Sequence, residues 1–339
     1  DLLFNKLNLP TQFIKKGKTG YSTAAGELDK LRGSHPIIDL ITQYREITKL
    51  MNTYVQPLPE IVDANNRLHT TYSMTVAQTG RLSSHDPNLQ NIPVRSDLGR
   101  KIRSAFLADK GNVLISADYS QFELRLAALL AGDKDLVDMF NRDVDVHLAT
   151  AAQIYGRSPE DVTKNMRRQA KVVNFGVMYG LSPHGLASAA NMTYEAAKNF
   201  IDKYFEVRPK LFEYIAKVKK DAADDGYVET LFGRRRPTPD VKSSNFVVRE
   251  AAFRAAVNMP FQGTAADIMK LAMVKLADHL EKYPQAKMLL QIHDSILIEV
   301  PQDQAEKLAK EVKEVMENTA KLDVKLTVDT SVGANWGEL

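Results

Sequence analysis

The chain has 339 residues, of which 44% are hydrophobic and 26% charged, and this composition excludes a wholly disordered or collagen-like protein. It contains no cysteine, which excludes disulfide scaffolds, cysteine nucleophiles and zinc–thiolate sites. Lys and Arg exceed Asp and Glu by only 45 to 42, so net charge neither requires nor excludes a nucleic-acid partner. No apolar run approaches the roughly 20 residues of a membrane-spanning helix, and we expect no membrane association.

The N-terminal part of the chain is predicted to contain one long helix, one strand and a long loop. Apolar residues recur every three to four positions from Pro36 to about Val55, which predicts a helix with one buried face. The β-branched residues and tyrosines of 67–77 predict a strand, and Thr79-Gly80 predicts a turn. Residues 82–99 are rich in turn formers and are expected to form an extended loop.

Strands and helices follow one another irregularly in the rest of the chain. An apolar strand is predicted at Val113–Asp118 and a helix at Gln121–Ala131. Ser158-Pro159 and the acidic residues after it predict a helix start, and the helical pattern continues to Tyr179, where Gly180 ends it. The later elements are predicted as helices at 193–205, 209–225 and 244–280, a hairpin at 287–300, a helix at about 302–320 and a strand at about 324–330. Without βαβ regularity, this order favours the α+β class.

Two aspartates stand at the ends of predicted strands. Asp118 ends the strand at 113–118, and Asp294 lies in the turn of the predicted hairpin. Each has a structural alternative, since Asp118 could cap the next helix and Asp294 could serve turn chemistry. Together they could bind two hard divalent cations, because Mg²⁺ prefers one or two carboxylates plus phosphate oxygens and water. Two such ions can activate an attacking hydroxyl and stabilise a leaving phosphate oxygen.

A row of cations and aromatic rings is predicted on the helix that ends near Gly180. Arg168, Lys171, Phe175 and Tyr179 recur at helical spacing and share one face over roughly 16 Å. Cations at one end and rings at the other suit a nucleoside triphosphate that lies along the helix. The alternative is an amphipathic helix whose basic side chains extend along apolar surface, but that alternative does not explain the ordered row.

Three segments resemble the polymerase motifs of family A DNA polymerases and occur in the family's order. They are Asp118–Arg125, Arg168–Gly180 and Gln291–Asp294. Supporting segments also resemble the family at Thr79–Ser84, Asp86–Pro93, Gln262–Asp267 and Gly333–Trp336. The resemblance runs from about residue 15 to the end of the chain and is closest to the bacterial enzymes of the family.

This resemblance implies an α+β right-hand polymerase fold with an antiparallel-sheet palm, helical fingers and a truncated helical thumb. The implied division is a partial thumb at 1–68, a palm at 69–124 and 247–339, and fingers at 125–246. We expect no proofreading or 5′-nuclease domain within these residues. A bacterial-type cytoplasmic location at the nucleoid is expected, and an organellar origin is also compatible with the sequence.

The resemblance also implies roles for single residues. Asp118 and Asp294 would hold two Mg²⁺ ions, which Mn²⁺ could replace, and the backbone carbonyl of Tyr119 would be a further metal ligand. Lys171 would be a catalytic residue that donates a proton to pyrophosphate, and Glu123 would exclude a ribose 2′-hydroxyl. The residues that would contact the nucleotide are Arg168, Lys171, Phe175, Tyr179, Glu123, Gln121 and His147.

The expected partners are primer–template DNA and a deoxynucleoside triphosphate (dNTP), bound by a monomer. The residues that would contact DNA are Arg81, Asn258, Gln262, His293 and Arg254. In the minor groove, purine N3 and pyrimidine O2 accept hydrogen bonds in every correct pair, so contacts there would sense pairing without identifying bases. The implied reaction is templated attack of a primer 3′-hydroxyl on the α-phosphate of a dNTP, which releases pyrophosphate.

One position departs from the family pattern, and two other functions stay open. Ser295 stands where the family usually has Glu, so the metal site would lose one nearby negative charge, and we expect weaker metal binding rather than inactivity. A single-subunit RNA polymerase is one alternative function, against which Glu123 argues. A non-catalytic module that binds primer–template is the other, and Ser295 is the only feature in its favour.

Overall fold

The computed structural model describes residues 1–94 and 96–339, which fall into two compact units. The first unit comprises Asp1–Thr70 and Asn91–Arg103, and the second comprises Thr71–Gln90 and Ser104–Leu339. The α+β prediction is confirmed, because helices are mixed with strands that pair only antiparallel within the described residues. In the same residues, no helix combines the length and the apolar character that a membrane span requires.

The first unit is mainly helical around a small apolar core. Its helices are α1 (Ala25–Asp29), α2 (Ile37–Leu50) and α3 (Asp97–Arg103), with π-helical turns at Leu2–Lys6 and Met51–Val55. Its strands β1 (Lys16–Gly17) and β2 (Gly20–Tyr21) form a short hairpin. The buried side chains at its centre are Leu3, Leu9, Ile14, Leu28, Leu31 and Ile38.

Helix α2 confirms the predicted helix, but the prediction of one continuous buried face was wrong. Ile38 and Leu50 are buried, whereas Leu40, Tyr44 and Ile47 are 61%, 69% and 50% exposed. The apolar stripe is longer than the part of α2 that contacts this unit's own core. The middle of the helix therefore faces solvent.

The region predicted as one strand followed by a loop is also different. Strand β3 covers only Thr71–Ser73 and pairs with β4 (Ser83–His85), which lies inside the predicted loop, and α3 begins before that loop ends. The polar β4 is held by the turn after it. The Ser84 N–H donates to Gln90 Oε1 (3.1 Å), and Ser84 Oγ accepts from the Leu89 N–H (2.9 Å). These side-chain bonds belong to the turn itself, and strand propensity does not describe them.

A four-stranded antiparallel sheet forms the centre of the second unit, in the order β10–β5–β9–β8. The remaining strands are β5 (Asn112–Tyr119), β6 (Tyr227–Glu229), β7 (Arg235–Pro237), β8 (Lys287–Ile292), β9 (Ser295–Pro301) and β10 (Val328–Gly333). The strand at 113–118 and the hairpin at 287–300 are thus confirmed. The last strand begins and ends later than predicted.

The helices of the second unit complete two apolar cores. They are α4 (Phe122–Ala131), α5 (Lys134–Asn141), α6 (Val146–Tyr155), α7 (Lys164–Gly176), α8 (Pro183–Ala190), α9 (Tyr194–Val207), α10 (Pro209–Asp224), α11 (Phe246–Leu280) and α12 (Ala305–Glu317). One core lies between the sheet and helices α11 and α12, and the other lies among α4 to α11. The predicted helices at 121–131, 193–205, 209–225, 244–280 and 302–320 are confirmed to within a few residues, whereas α5, α6 and α8 were not predicted.

The helix predicted to start at Ser158 begins five residues later. Pro159–Asp161 form only a 3₁₀ turn, and the backbone is extended at Val162 and Thr163. Thr163 is the N-cap of α7, because its side chain accepts a hydrogen bond from the Met166 N–H (3.2 Å). After Gly176 the chain continues as a 3₁₀ turn, Val177–Tyr179, and ends at Gly180 as predicted.

Candidate active site

Asp118 is fixed where β5 passes into α4. The Ser120 N–H donates to the Thr327 carbonyl (2.8 Å), and Gln121 takes a left-handed conformation (φ 51°) that turns the chain into the helix. The Tyr119 ring stacks on Phe122 in the core with 4.2 Å between ring centroids. Because side chains alternate along a strand, Asp118 then projects from the opposite face of the sheet.

Asp294 lies in the two-residue turn between β8 and β9, at the same end of the sheet. Its carbonyl accepts a hydrogen bond from the Tyr119 N–H (3.0 Å), which places the turn beside the end of β5. The preceding His293 takes the left-handed conformation (φ 52°) that allows so tight a turn. The structure therefore brings the two predicted carboxylates, together with the Tyr119 backbone, to one place.

Tyr72 and Gln90 hold the end of strand β8 that precedes this turn. The Tyr72 hydroxyl donates to the Gln291 carbonyl (2.8 Å) and accepts from the Gln291 N–H (2.9 Å). The Gln90 side-chain amide donates to the same carbonyl and to Gln291 Oε1, both at 3.1 Å. These bonds fix the strand that presents His293 and Asp294.

A chain of polar contacts joins Asp294 to the helical part of the unit. Arg81 Nη2 donates to Glu123 Oε1 (2.6 Å) and lies 3.4 Å from Asp294 Oδ1. The Tyr179 hydroxyl donates to the other oxygen of Glu123. Glu123 is only 6% exposed, and it is therefore a buried carboxylate with one cationic and one neutral partner.

At this end of the sheet, the positive charge of the protein does not balance the negative charge of the carboxylates. The pKa of Asp294 is raised to about 6, mainly by burial; Arg81 opposes this shift, and the charges of Glu123 and Asp118 add to it. Burial also raises the pKa of Asp118, followed by the negative charge of Asp329. Such a site favours either protonation or the binding of a cation.

The donor set fits a hard divalent cation. Within the described residues no three His, Cys, Asp or Glu side chains are grouped so as to hold a metal by themselves. Two carboxylates are nevertheless the protein ligands that Mg²⁺ ordinarily takes when substrate phosphate and water supply the others. Asp118 and Asp294 would hold such an ion, and the Tyr119 backbone lies beside them.

The predicted cationic row lies on α7 and its 3₁₀ extension. Arg168 donates to the Ala190 carbonyl (3.0 Å) and to Asn165 Oδ1 (2.8 Å), so it is already anchored. Lys171 is exposed and makes no hydrogen bond or ion pair within the described part of the chain. The Tyr179 side chain points toward Glu123 and does not continue the straight row that helical spacing predicts.

His147 supports this helix from behind. Its Nδ1 accepts a hydrogen bond from Asn174 Nδ2 (3.0 Å), and its ring centroid lies 5.6 Å from that of Phe175. Burial, followed by the charge of Arg167, lowers the pKa of His147 to about 4, so the ring is neutral at pH 7. The predicted contact of His147 with nucleotide stays a prediction, and it would not be a contact by a cation.

The predicted DNA-contacting residues of α11 share one face. Arg254, Asn258 and Gln262 are four residues apart, and Ala266 and Lys270 continue the same stripe. A cleft begins where the stripe ends, and it is lined by Arg81, Leu82, Gln90, Ala266, Met269, Lys270, Gln291, His293 and Asp294. The stripe thus leads to the carboxylates, which is the arrangement expected of a groove for a polymer.

Three residues of the site were missed in the sequence. Lys270 donates to the Gly80 carbonyl, Gln90 binds β8, and Asp329 lies opposite Asp118 in the sheet. Lys270 could have been found because it continues the four-residue spacing from Gln262 to Ala266. Asp329 could not, because strand register decides its position.

Comparisons with known proteins agree with this geometry. The family model for DNA polymerase family A matches residues 1–338. The chain is 52% identical over 339 residues to the thermostable DNA polymerase I of Thermus filiformis and 48% identical over 340 residues to DNA polymerase I of Streptococcus pneumoniae. These matches cover 99% of this chain but only 40% and 39% of the relatives, so the chain spans about two fifths of their length.

A solved structure has the same fold. It is the POL domain of Pol1 from M. smegmatis in complex with DNA primer-template and dNTP, with a TM-score of 0.91 and 41% sequence identity. The match covers 99% of this chain and 59% of that one. The expected polymerase fold is thereby confirmed, whereas the predicted boundaries of thumb, palm and fingers stay predictions.

Proposed function

The chain belongs to DNA polymerase family A, and on that premise we propose that it extends a primer 3′-hydroxyl with dNTPs under the direction of a template strand, releasing pyrophosphate. The observation that carries the proposal is the meeting of Asp118 and Asp294 at one end of the sheet. The M. smegmatis relative, which shares the fold, is solved with primer-template and dNTP, and this supports the same ligands for this chain.

Asp118 and Asp294 would hold two Mg²⁺ ions, or Mn²⁺ in their place. When bound, such ions supply charge stabilisation to a phosphoryl transfer and favour the ionised form of an attacking hydroxyl. The protein's own contribution is position: the bond from Tyr119 to the Asp294 carbonyl and the alternation along β5 direct both carboxylates to one place. Phosphoryl transfer depends mainly on such positioning and on electrostatics.

Arg168 and Lys171 would bind the triphosphate of the incoming nucleotide. Arg168 is held by the Ala190 carbonyl, so its guanidinium is oriented before nucleotide arrives. Lys171 is exposed and has no competing partner within the described residues, and its ammonium group would donate a proton to the leaving pyrophosphate. Phe175 would pack on the sugar, and Tyr179 would lie at the new base pair.

Glu123 would set the choice of sugar. It is buried and held by Arg81 and Tyr179, so its carboxylate cannot easily move aside for a ribose 2′-hydroxyl. Gln121 and His147 would complete the nucleotide pocket. The side-chain oxygen of Gln121 is buried and lacks a hydrogen-bond partner in the described part of the structure, which suits a donor from a ligand.

DNA would lie along the stripe of α11 and enter the cleft. Arg81, Asn258 and Gln262 would contact the minor groove, His293 would support the primer end, and Arg254 would contact DNA farther along. The buried amide nitrogen of Asn258 has no partner within the described residues and could donate to a base. We further propose that the chain acts as a monomer on DNA in the cytoplasm.

Primer extension by this chain tests the proposal. With a matched template, we expect addition of the complementary dNTP in Mg²⁺ and in Mn²⁺, and at most weak addition of the ribonucleotide. Preferential use of ribonucleotides would instead identify an RNA polymerase. Tight primer–template binding without extension in either metal would identify a non-catalytic binding module and contradict the proposal.

A further inference from the structure

Asp329 is a second acidic residue beside Asp118. Strand β10 pairs antiparallel with β5, and Asp329 is directly opposite Asp118 in the register. Side chains at directly opposite positions lie on the same face, with Cβ atoms about 4.5–5.5 Å apart. Asp329 therefore projects from the face that carries Asp118.

Neither carboxylate of this pair has a partner in the part of the chain that the structure describes. Within the described residues, the side chains of Asp118 and Asp329 make no hydrogen bond or ion pair, although like charges at opposite positions destabilise a sheet. The guanidinium of Arg125 lies within electrostatic range of Asp329 but is committed elsewhere. It donates to the carbonyls of Ser120 (3.0 Å) and Lys325 (2.8 Å).

The other neighbour of Asp118 is neutral. Strand β9 places Ser295 directly opposite Asp118 on its second side, and the Ser295 hydroxyl donates to the Ile292 carbonyl (2.9 Å). The row across the sheet is thus Asp329, Asp118, Ser295. The negative charge that the family pattern places at position 295 is missing, and the only acidic neighbour in the row is on β10.

We propose that Asp329 is a positioning residue of the cation site, which strengthens the binding of a divalent cation at Asp118 by its negative charge and offsets the neutral Ser295. The inference rests on the proposed function, because it takes the cation at Asp118 and Asp294 as given. It explains why two unpaired carboxylates are kept side by side at this end of the sheet. A cation held by Asp118 and Asp294 would offset the repulsion between Asp118 and Asp329.

Titration of the protein with Mn²⁺, followed by electron paramagnetic resonance of the free ion and without DNA or nucleotide, tests this role. We expect Asp329→Asn to raise the dissociation constant for Mn²⁺ about 3- to 10-fold, because one negative charge near a divalent ion is lost. Ser295→Glu should tighten binding, and Ser295→Glu in the Asp329→Asn background should restore it toward the original value. Asp278→Asn, an exposed change of equal charge on α11, is the matched control and should change affinity less than about twofold.

Thermal unfolding without cations separates this role from a structural one. Asp329→Asn should leave the melting temperature unchanged or raise it, because it removes a repulsion. If Asp329→Asn binds Mn²⁺ like the original chain while Asp118→Asn loses binding, the role of Asp329 is wrong and the proposed function stands. If Asp118→Asn also binds Mn²⁺ normally, the cation site of the proposed function itself is wrong. If Asp329→Asn fails to fold, an unchanged affinity in Ser295→Glu contradicts the inference.

Discussion

The two halves of the candidate active site are built in different ways. Asp118 lies near the end of β5, Asp294 lies in the turn that leads into the neighbouring β9, and partial burial raises the pKa of both carboxyl groups. On α7, by contrast, Lys171 is exposed without a partner in the described residues, and Arg168 is bound only to carbonyl and amide oxygens of its own surroundings.

This difference separates a preformed centre from one that a ligand completes. The carboxylates are held in place before any substrate binds, at a cost in repulsion that a cation would relieve. In the proposed function, the cations of α7 would stay in water until a triphosphate binds them, and the Tyr179–Glu123 hydrogen bond links the two halves. A ligand can shift such a structure only through contacts that are better in the closed arrangement, and cation–phosphate contacts are of that kind.

Removing either preformed carboxylate should have the largest effect. We expect Asp118→Ala and Asp294→Ala each to lower the rate of primer extension about 1,000-fold or more, since a bound metal supplies several kcal/mol of charge stabilisation. DNA affinity should change little, because phosphate contacts elsewhere dominate it. Single-turnover extension and fluorescence anisotropy with labelled primer–template measure the two quantities.

The matched control for these variants is Asp278→Ala, which removes an exposed carboxylate of α11. It should extend primers at the original rate. Substantial extension by Asp118→Ala or Asp294→Ala would show that the sheet end is not the metal site.

Changing the ligand-completed half should have a smaller effect. Lys171→Ala is expected to slow incorporation about 10- to 100-fold, the value of one charge-assisted hydrogen bond of about 1.5–3 kcal/mol. Rapid-quench measurements at saturating nucleotide give the rate, and DNA affinity should stay within about twofold because Lys171 would not contact DNA.

A dye pair, with one dye on α9 and one on β8, tests the same half directly. Matched dNTP on a chain-terminated primer should change the distance between the dyes, and Lys171→Ala should reduce the change. No change with matched nucleotide, or equal losses of DNA affinity and incorporation rate, would contradict the proposed role of α7.

Removing Glu123, which joins the two halves through Tyr179, should change the selectivity for the sugar more than the rate of dNTP incorporation. Glu123→Ala removes the carboxylate that Tyr179 and Arg81 both bind, and it opens space beside the sugar. We expect discrimination against ribonucleotides to fall about 10-fold, as for a pocket that gains room for one added group. The comparison is kcat/KM for matched ribo- and deoxynucleotides, and an unchanged ratio would show that Glu123 does not exclude the 2′-hydroxyl.

The neutral His147 should make the stability of the fold depend on pH. The pKa of His147 is about 4 in the folded chain and about 6.5 when unfolded, so the unfolded state binds the proton more readily. The free energy of unfolding should therefore fall by about 1–2 kcal/mol as pH decreases from 7.5 to 5. Urea unfolding at both pH values measures this, and His147→Gln should show a correspondingly smaller decrease. An equal decrease in the variant would place the pH dependence elsewhere.

The sequence predicted the preformed half well because local patterns define it. An apolar run ending in Asp118, and two short apolar runs around Asp294, are sufficient to indicate a strand end and a hairpin turn. The position of Asp329 depends on which strands pair and in what register, which no local pattern contains. Ser158 and Thr163 show a related limit, since both are good N-caps and only the extended backbone at Val162 decides between them.

Surface exposure was predicted less well than secondary structure. The apolar spacing of α2 is that of a buried helix face, yet Leu40, Tyr44 and Ile47 lie in solvent in this structure. Spacing shows which residues share a face, whereas burial depends on what packs there. On α7, spacing likewise predicted the row of cations and rings but not that the Tyr179 side chain points toward Glu123.

Gly180 lies where the 3₁₀ extension of α7 packs against α11. It ends the row with φ 68°, and a Cβ there would lie only 2.6 Å from Cγ of Arg254 on α11. A side chain at position 180 would therefore have to displace Arg254, so only a glycine lets the end of the α7 row pack this closely against α11.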